Sequence, residues 1–471
     1  MLFNTPLFFW FFAVFFVLFN FVFVERRKHL WLLLISSFIF YGSWNYAFIP
    51  LLIFSALSDY LIAGRIDQHG DDVRAKKRWL TLSVVINLGT LGIFKYSNFV
   101  LQSVADFVSL FGGDVSVGTL SIVLPVGISF YTFQSMSYTI DVYRGQMKAH
   151  KGFLEFLAAL SFFPQLVAGP ILRAKHILPQ LDTMPVATWS NVQQGLLLIV
   201  AGLIKKTFAD LMAGPAAAAF DSSTPISSLD AWVGALAFTA QIYGDFSGYT
   251  DIAIGIALLM GFHIPQNFNL PYFSVSPVDF WRRWHISLSG WLRDYLYISL
   301  GGNRNGHRTR NVMITMLLGG LWHGAAWTFV FWGAWHGIII SITHWLTNSS
   351  LGRLVENHNN LLVRVLKMAL TFYLVVIGWV FFRATGFDNA FTMLAQMHGI
   401  TSVTEPAADA GAVLFLVVLG LVFMHVMDAL RMRYADALEA RLWLLVPLLV
   451  VGFFITFLVG DAGHDFIYFQ F

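Results

Sequence analysis

Cysteine is missing altogether. Disulfides, thiol nucleophiles and thiolate-held metals are thereby excluded, and the redox compartment leaves no trace in the chain. Charge is thin as well: 12% of the 471 residues are Asp, Glu, Lys or Arg, about half the share of an average soluble domain. The formal net charge of +3 is too small to point to nucleic acid. No Gly-x-x-x-x-Gly-Lys-Ser/Thr loop is present to cradle a triphosphate, so ATP hydrolysis is not expected. No His-x-x-x-His or Glu-x-x-His pair offers a metal site. The short alternating segments of a β-barrel are lacking. No internal repeat is visible, and the longest polar stretches are too short to bury a core of their own.

What is present is hydrophobic. Apolar residues make up 57% of the chain and aromatics 17%, in runs that recur at nearly regular intervals. The expectation is an all-α polytopic membrane protein, one membrane-embedded domain over residues 1–471. Leu7–Val24 has no basic stretch before it and no small-residue cleavage site after it, and reads as a retained first span. The basic cluster Glu25-Arg-Arg-Lys-His29 follows, which places that loop in the cytoplasm and the N-terminus outside. Leu30–Tyr41 and Phe48–Ala63 make a return pair, and Arg74, Lys76, Lys77 and Arg78 mark a second cytoplasmic loop. Further spans are expected over 80–110, interrupted near Lys95, and over 119–143.

From Phe153 the pattern changes. Leu154–Val167 is short and runs into Pro164, Gly169 and Pro170, which break a helix. Broken backbone at membrane depth survives only inside protein or beside a wet cavity, so a re-entrant segment is expected. Ile171–Trp189 is more polar and suits the interface. Spans over 194–216 and 231–260 follow, then one long or two short over 312–345, then 363–382, 412–430 and 442–459. The total is about eleven transmembrane helices with re-entrant and interfacial pieces.

The span at 231–260 holds Gln241, Tyr243, Asp245, Ser247, Tyr249 and Asp251. Such groups cannot face lipid; they either lock helix packing or touch a substrate. Ser276-Pro-Val-Asp279 has the marks of a helix start, and a single charged helix is expected from there to about Leu300. It carries Arg282, Arg283, His285, Arg293 and Asp294 among tryptophans, the make-up of an interfacial or protein-buried helix. Arg282 and Arg283 beside His285 are candidates for binding an anionic donor such as a nucleotide phosphate. The arginines at 304, 308 and 310 fit the positive-inside bias.

Leu318-Gly-Gly-Leu-Trp-His-Gly324 puts His323 deep in apolar sequence, flanked by Trp322 and by Gly324, which permits close approach of a ligand or a helix. An imidazole kept neutral there can serve as a general base activating a hydroxyl for acyl transfer. A histidine hydrogen-bonded inside a helix bundle is the plain alternative. His336 lies thirteen residues on and faces another side of any continuous helix, so it is read as structural unless the helix is broken.

Four segments together resemble the membrane-bound O-acyltransferase superfamily: Phe163-Pro-Gln-Leu-Val-Ala-Gly-Pro-Ile171, Gly244-Asp-Phe-Ser-Gly-Tyr-Thr-Asp251, Phe280–Tyr295 and Leu321-Trp-His-Gly324. The likeness is closest to the bacterial branch with alginate O-acetyltransferase, the cellulose-acetylation protein and the D-alanyl transfer protein of teichoic acid. It implies a ring of helices around a central funnel. The superfamily's signature histidine falls on His323 and its second signature position on His285. Trp322, Gly324, Asp245, Ser247, Asp251 and Gln165 become tunnel or substrate-positioning candidates. It further implies acetyl-CoA as donor substrate, with no permanently bound cofactor and no metal. The acyl group passes across the bacterial inner membrane to an extracytoplasmic polysaccharide, through a partner acyltransferase or an export and synthesis complex. The tail Phe466-Ile-Tyr-Phe-Gln-Phe471 resembles one whose tyrosine carries the acyl group, which makes Tyr468 a candidate relay; an aromatic interface anchor is the plain alternative. D-alanyl transfer to teichoic acid, or a transporter using the same intramembrane polar residues, are the competing functions. Against a transporter, no inverted repeat supplies paired half-sites.

Overall fold

The computed structural model describes residues 1–23, 25–113, 118–304, 306–350, 360–401 and 405–434. Among them the chain is helical, without a strand. Five stretches are long and apolar enough to cross a membrane: Arg26–Gln68, Val73–Ser109, Trp327–Asn348, Leu361–Arg383 and Ala410–Arg433. The expected span at 442–459 and Tyr468 lie outside the described residues. Two compact units are present. One comprises Met1–Thr188 with Ala257–Ile264, the other Trp189–Ile256 with the residues from Pro265 on.

In the first unit, Thr5 caps and Pro6 opens α1 (Pro6–Val17), which widens into a π-helical turn over Leu18–Val22. Phe163 anchors this helix from across the unit, with ring centroids 5.2 Å from Phe15 and 5.6 Å from Phe11, and it also packs 5.7 Å from Phe40 of the next helix. Each such aromatic pair contributes roughly 0.5–1.5 kcal/mol beyond the area it covers. Three more long helices follow: α2 (Arg26–Asn45), α3 (Ile49–Gln68) and α4 (Val73–Leu91). Asp72 starts the last of these by accepting from the amides of Arg74 and Ala75 at 3.0 Å. The interruption expected near Lys95 is a π-helical turn over Gly92–Tyr96 leading into α5 (Ser97–Ser109). Asp59, fully buried, accepts from Ser83 (2.6 Å), Asn87 (2.7 Å) and Ser135, which joins α3 to α4 and to α6 (Ile128–Tyr143).

The sequence places the start of α6 at 119, but the chain stays irregular as far as Gly127. Pro125 has no amide to donate to a helix, and Gly127 turns with φ 74°. A Cβ at Gly127 would stand 2.4 Å from the Leu166 carbonyl oxygen, so the turn is fitted to the segment it touches. That segment is the expected break: α7 (Phe153–Leu160) stops at Ser161, and α8 (Phe163–Leu166) is a single turn opened by Pro164. Every residue from Phe156 to Leu172 is buried, the condition on which irregular backbone is tolerated in a bilayer. The polar stretch after it forms α9 (Ala174–Thr183).

In the second unit, α10 (Trp189–Phe220) and α11 (Ser228–Leu259) run antiparallel with their backbones nearly touching. A Cβ on Gly202 would lie 2.5 Å from the Gly248 oxygen, and one on Gly255 would lie 2.5 Å from the Gly195 oxygen. These glycines, seven residues apart on each helix, are the small-residue seam by which membrane helices gain van der Waals contact. A second hairpin, α14 (Arg308–His323) and α15 (Trp327–Asn348), is built the same way. There, added carbons at Gly320 and Gly333 would each meet a backbone oxygen at 2.2 Å, from Phe329 and Met316. The 312–345 stretch is thus two helices, broken at residues 324–326. The remaining long helices are α16 (Leu361–Arg383), α17 (Phe387–Met397) and α18 (Ala410–Arg433).

The single charged helix expected over 276–300 is not one helix. Ser276 caps it and Pro277 occupies its first turn as expected, but α12 (Pro277–Arg283) ends at Trp284. The chain turns through His285, then resumes as α13 (Ile286–Trp291) with a π-helical continuation over Leu292–Tyr297. His285 has φ 44° and ψ 55°, the left-handed region that side chains other than glycine avoid.

Candidate active site

Both candidate histidines stand at helix interruptions. His285 occupies the turn between α12 and α13; His323 is the last residue of α14. Their rings lie 6.3 Å apart, centroid to centroid, and they are 0% and 4% exposed. Trp322 completes the group, 5.0 Å from His323 and 6.1 Å from His285. Around them is an aromatic wall. Trp332 and Phe382 pack on His323 at 5.1 and 5.4 Å, while Phe246 meets the His285 ring edge-on at 4.7 Å. Two imidazoles at this separation can both reach one small reacting group, in surroundings where a hydrogen bond is not diluted by water.

Gly324 ends α14 in extended conformation, and a Cβ there would lie 2.1 Å from the Phe329 ring. The close approach it permits is that of Phe329. His336 shows what the broken helix does. It is buried one tryptophan further on, 4.9 Å from Trp332, and its Nδ1 accepts from the Trp281 indole at 3.2 Å.

Asp245 and Asp251 each meet a lysine of α10. Lys206 donates to Asp210 at 2.5 Å and lies 3.0 Å from Asp245. Lys205, 1% exposed, donates to Asp251 and to Asp428 of α18, both at 2.7 Å. Asp428 also accepts from the Tyr243 hydroxyl at 2.8 Å, and Arg431 stands 3.4 Å from Asp428 and 3.7 Å from Asp251. The network ties α10, α11 and α18 together. Ser247, on the same helix as Phe246, is buried with no hydrogen-bond partner for its hydroxyl among the described residues. Gln165 belongs to the first unit, where it donates to Gln134 (2.8 Å) and to the Ala159 carbonyl (3.2 Å). Arg283 is held by Asp279 at 2.9 Å and reaches the Asn269 carbonyl at 3.4 Å, whereas Arg282 is exposed.

Sequence reasoning passed over Asn267, which bonds to His285, and the lysines that neutralise the buried carboxylates. For Lys205 and Lys206 the signal was there: two adjacent ammonium groups in the middle of an apolar run need acidic partners. For Asn267, an amide between two prolines, there was none. Among the described residues no group of three or more His, Asp or Glu side chains is arranged to hold a metal ion.

Comparison with known proteins adds the following. A family model described as membrane-bound O-acyltransferase family matches residues 148–382, a stretch that contains both histidines. The chain is 46% identical to the probable alginate O-acetylase of Pseudomonas aeruginosa, over 84% of this chain and 75% of that one. It is 42% identical to the protein of the same description from Azotobacter vinelandii, over 93% and 87%. To the peptidoglycan O-acetyltransferase of Helicobacter pylori it is 36% identical, over 86% and 81%.

Proposed function

We propose that this chain, which belongs to the membrane-bound O-acyltransferase family, is an O-acetyltransferase that takes acetyl from cytoplasmic acetyl-CoA for an extracytoplasmic polysaccharide. It is a multi-pass membrane O-acyltransferase, and its relatives include polysaccharide O-acetylating proteins. The observation that carries the finer reading is the pair of buried imidazoles 6.3 Å apart inside an aromatic wall. His323 accepts the proton of an acceptor hydroxyl, whose oxygen attacks the thioester carbonyl carbon. The carbon–sulfur bond breaks, the coenzyme A thiolate takes the proton back from His323, and an acetyl ester remains. At the end of α14 the free carbonyls of the last turn present partial negative charge to a ring that carries a proton during the step. Arg282 offers the donor phosphates a cation, and the Asp245–Asp251 network holds the helix that brings Phe246 against His285.

In this reading the protein sits in the bacterial inner membrane and hands acetyl to a polymer such as alginate, cellulose or peptidoglycan, directly or through a partner acyltransferase. Tyr468 is the proposed resting place if the group is relayed. Donor identity separates this reading from D-alanyl transfer. Membranes carrying the protein are given labelled acetyl-CoA, and ester-bound label in the acceptor is counted. His323→Ala is expected to abolish the label while protein level and thermal unfolding stay those of the parent. A His323→Ala variant that still acetylates rejects the assignment.

A further inference from the structure

We propose that Asn267 is a positioning residue of the transfer site: its side-chain oxygen fixes His285 in the tautomer with the proton on Nδ1, so that Nε2 is the hydrogen-bond-accepting nitrogen. The proposal rests on the reading of His285 and His323 as the reacting pair.

The orientation of the Asn267 amide is settled by its neighbours. The backbone amide of Ser287 can only donate, and it lies 3.0 Å from Asn267 Oδ1. That terminus is therefore the oxygen, and it also accepts from the Ser287 hydroxyl at 2.9 Å. His285 Nδ1 lies 3.2 Å from the same oxygen. An amide oxygen donates nothing, so Nδ1 must carry the hydrogen. A neutral imidazole has one such hydrogen, which leaves Nε2 with its lone pair. Asn267 is itself fully buried, and its Nδ2 finds no partner among the described residues. Leaving a buried donor unmatched is unfavourable, which is hard to explain for a residue that serves packing alone. It is expected where the oxygen is what the site needs.

The same residue fixes the backbone. The Asn267 carbonyl accepts from Ile286 at 2.9 Å, and two residues on, Asn269 donates to the Arg283 carbonyl at 2.9 Å. This short pairing holds the chain on both sides of His285 and keeps that residue in its left-handed conformation. Phe246 at 4.7 Å and Trp322 at 6.1 Å confine the ring. The consequence divides the work of the two histidines. With its hydrogen committed to Asn267, a neutral His285 has none to offer a developing oxyanion. It can only accept, so it orients the acceptor through a second hydroxyl or N–H of that molecule, while the proton of the attacking hydroxyl goes to His323.

The test uses full-length protein in lipid nanodiscs, with Asn267→Leu and Asn267→Asp. Asn267→Leu is expected to lower kcat by up to about a hundredfold, the cost of a misplacement of about 1 Å at a reacting centre. KM for acetyl-CoA should stay within about twofold. Asn267→Asp restores an accepting oxygen and should recover most of kcat. Independently of activity, nitrogen-15 spectra of histidine-labelled parent and His285→Ala identify the His285 signal by its loss. In the parent that signal must show the hydrogen on Nδ1. A hydrogen on Nε2, or an Asn267→Leu variant with parental kcat, overturns the proposal. Should the parent transfer no acetyl at all, the functional reading fails instead, and the spectrum still decides the tautomer.

Discussion

Replacing Lys205 by methionine removes an ammonium group from between two carboxylates and leaves a side chain of similar length. Lys205 is 1% exposed and contacts Asp251 and Asp428 at 2.7 Å each. Without it Asp251, Asp428 and Arg431 carry a net charge of −1 in a buried site, and Arg431 is the more distant cation at 3.4 and 3.7 Å. Breaking a buried ion pair by removing one partner costs about 3–5 kcal/mol, because the remaining charge is neither hydrated nor matched. Here one removal exposes two carboxylates to each other, so the upper half of that range is expected. The assay is unfolding of the detergent-solubilised protein by a denaturing detergent, followed by tryptophan fluorescence, with parent and variant in the same micelle. Adding Asp428→Asn to Lys205→Met should recover part of the loss, by about 0.5–3 kcal/mol, since the remaining Asp251 then faces Arg431 alone. A loss below about 1 kcal/mol, under the range for a broken buried pair, refutes the reasoning. So does a double variant less stable than Lys205→Met.

Gly333→Ala puts a carbon 2.2 Å from the Met316 carbonyl oxygen, so the α14–α15 hairpin must open; a loss of about 1–3 kcal/mol is expected, with kcat falling because His323 stands at the end of α14, beside the hairpin's turn. Gly64→Ala on α3, where nothing lies within 4 Å of the added carbon, should instead be neutral or stabilise by about 0.4–1 kcal/mol, and thermal unfolding of the two variants checks the contrast. Arg282→Gln should raise KM for acetyl-CoA roughly two- to fivefold with kcat unchanged, the effect of one exposed ion pair. That difference should shrink as salt is added.

How far the fold could be read from the chain depended on which force set each element. Long apolar helices such as Leu361–Arg383 and Ala410–Arg433 were legible because lipid demands them. So was the break at Pro164, where a missing amide leaves no alternative. The turn at His285 was not legible. Nothing local asks for it: Trp284-His-Ile-Ser287 contains neither glycine nor proline, and the charge pattern reads smoothly through to Leu300. The turn exists because Asn267 and Asn269, distant in sequence, pair with 283–287 and outweigh the helical preference of those residues. The site was half legible for the same reason. Lone polar groups in apolar sequence point to themselves, as His323 and Asp251 did, whereas their partners are chosen by the fold.

The two histidines share a property that bears on how such a site is made. A side chain in the middle of a continuous membrane helix is pointed by the helical period, and its backbone is fully engaged within the helix. At an interruption both constraints lapse. His323 ends α14, where the chain leaves the helix through an extended Gly324 packed against the Phe329 ring, and His285 lies between α12 and α13. Each ring is then aimed by what packs on it: Trp332 and Phe382 for one, Asn267 and Phe246 for the other. An interruption costs backbone hydrogen bonds that a bilayer cannot replace, so it persists only where side chains supply substitutes. Asn267 supplies them at His285. The left-handed turn at His285, the Asn267 side chain and the backbone pairing of residues 267–269 therefore form one device, and a substitution that breaks the side-chain bond or the pairing should misdirect the His285 imidazole.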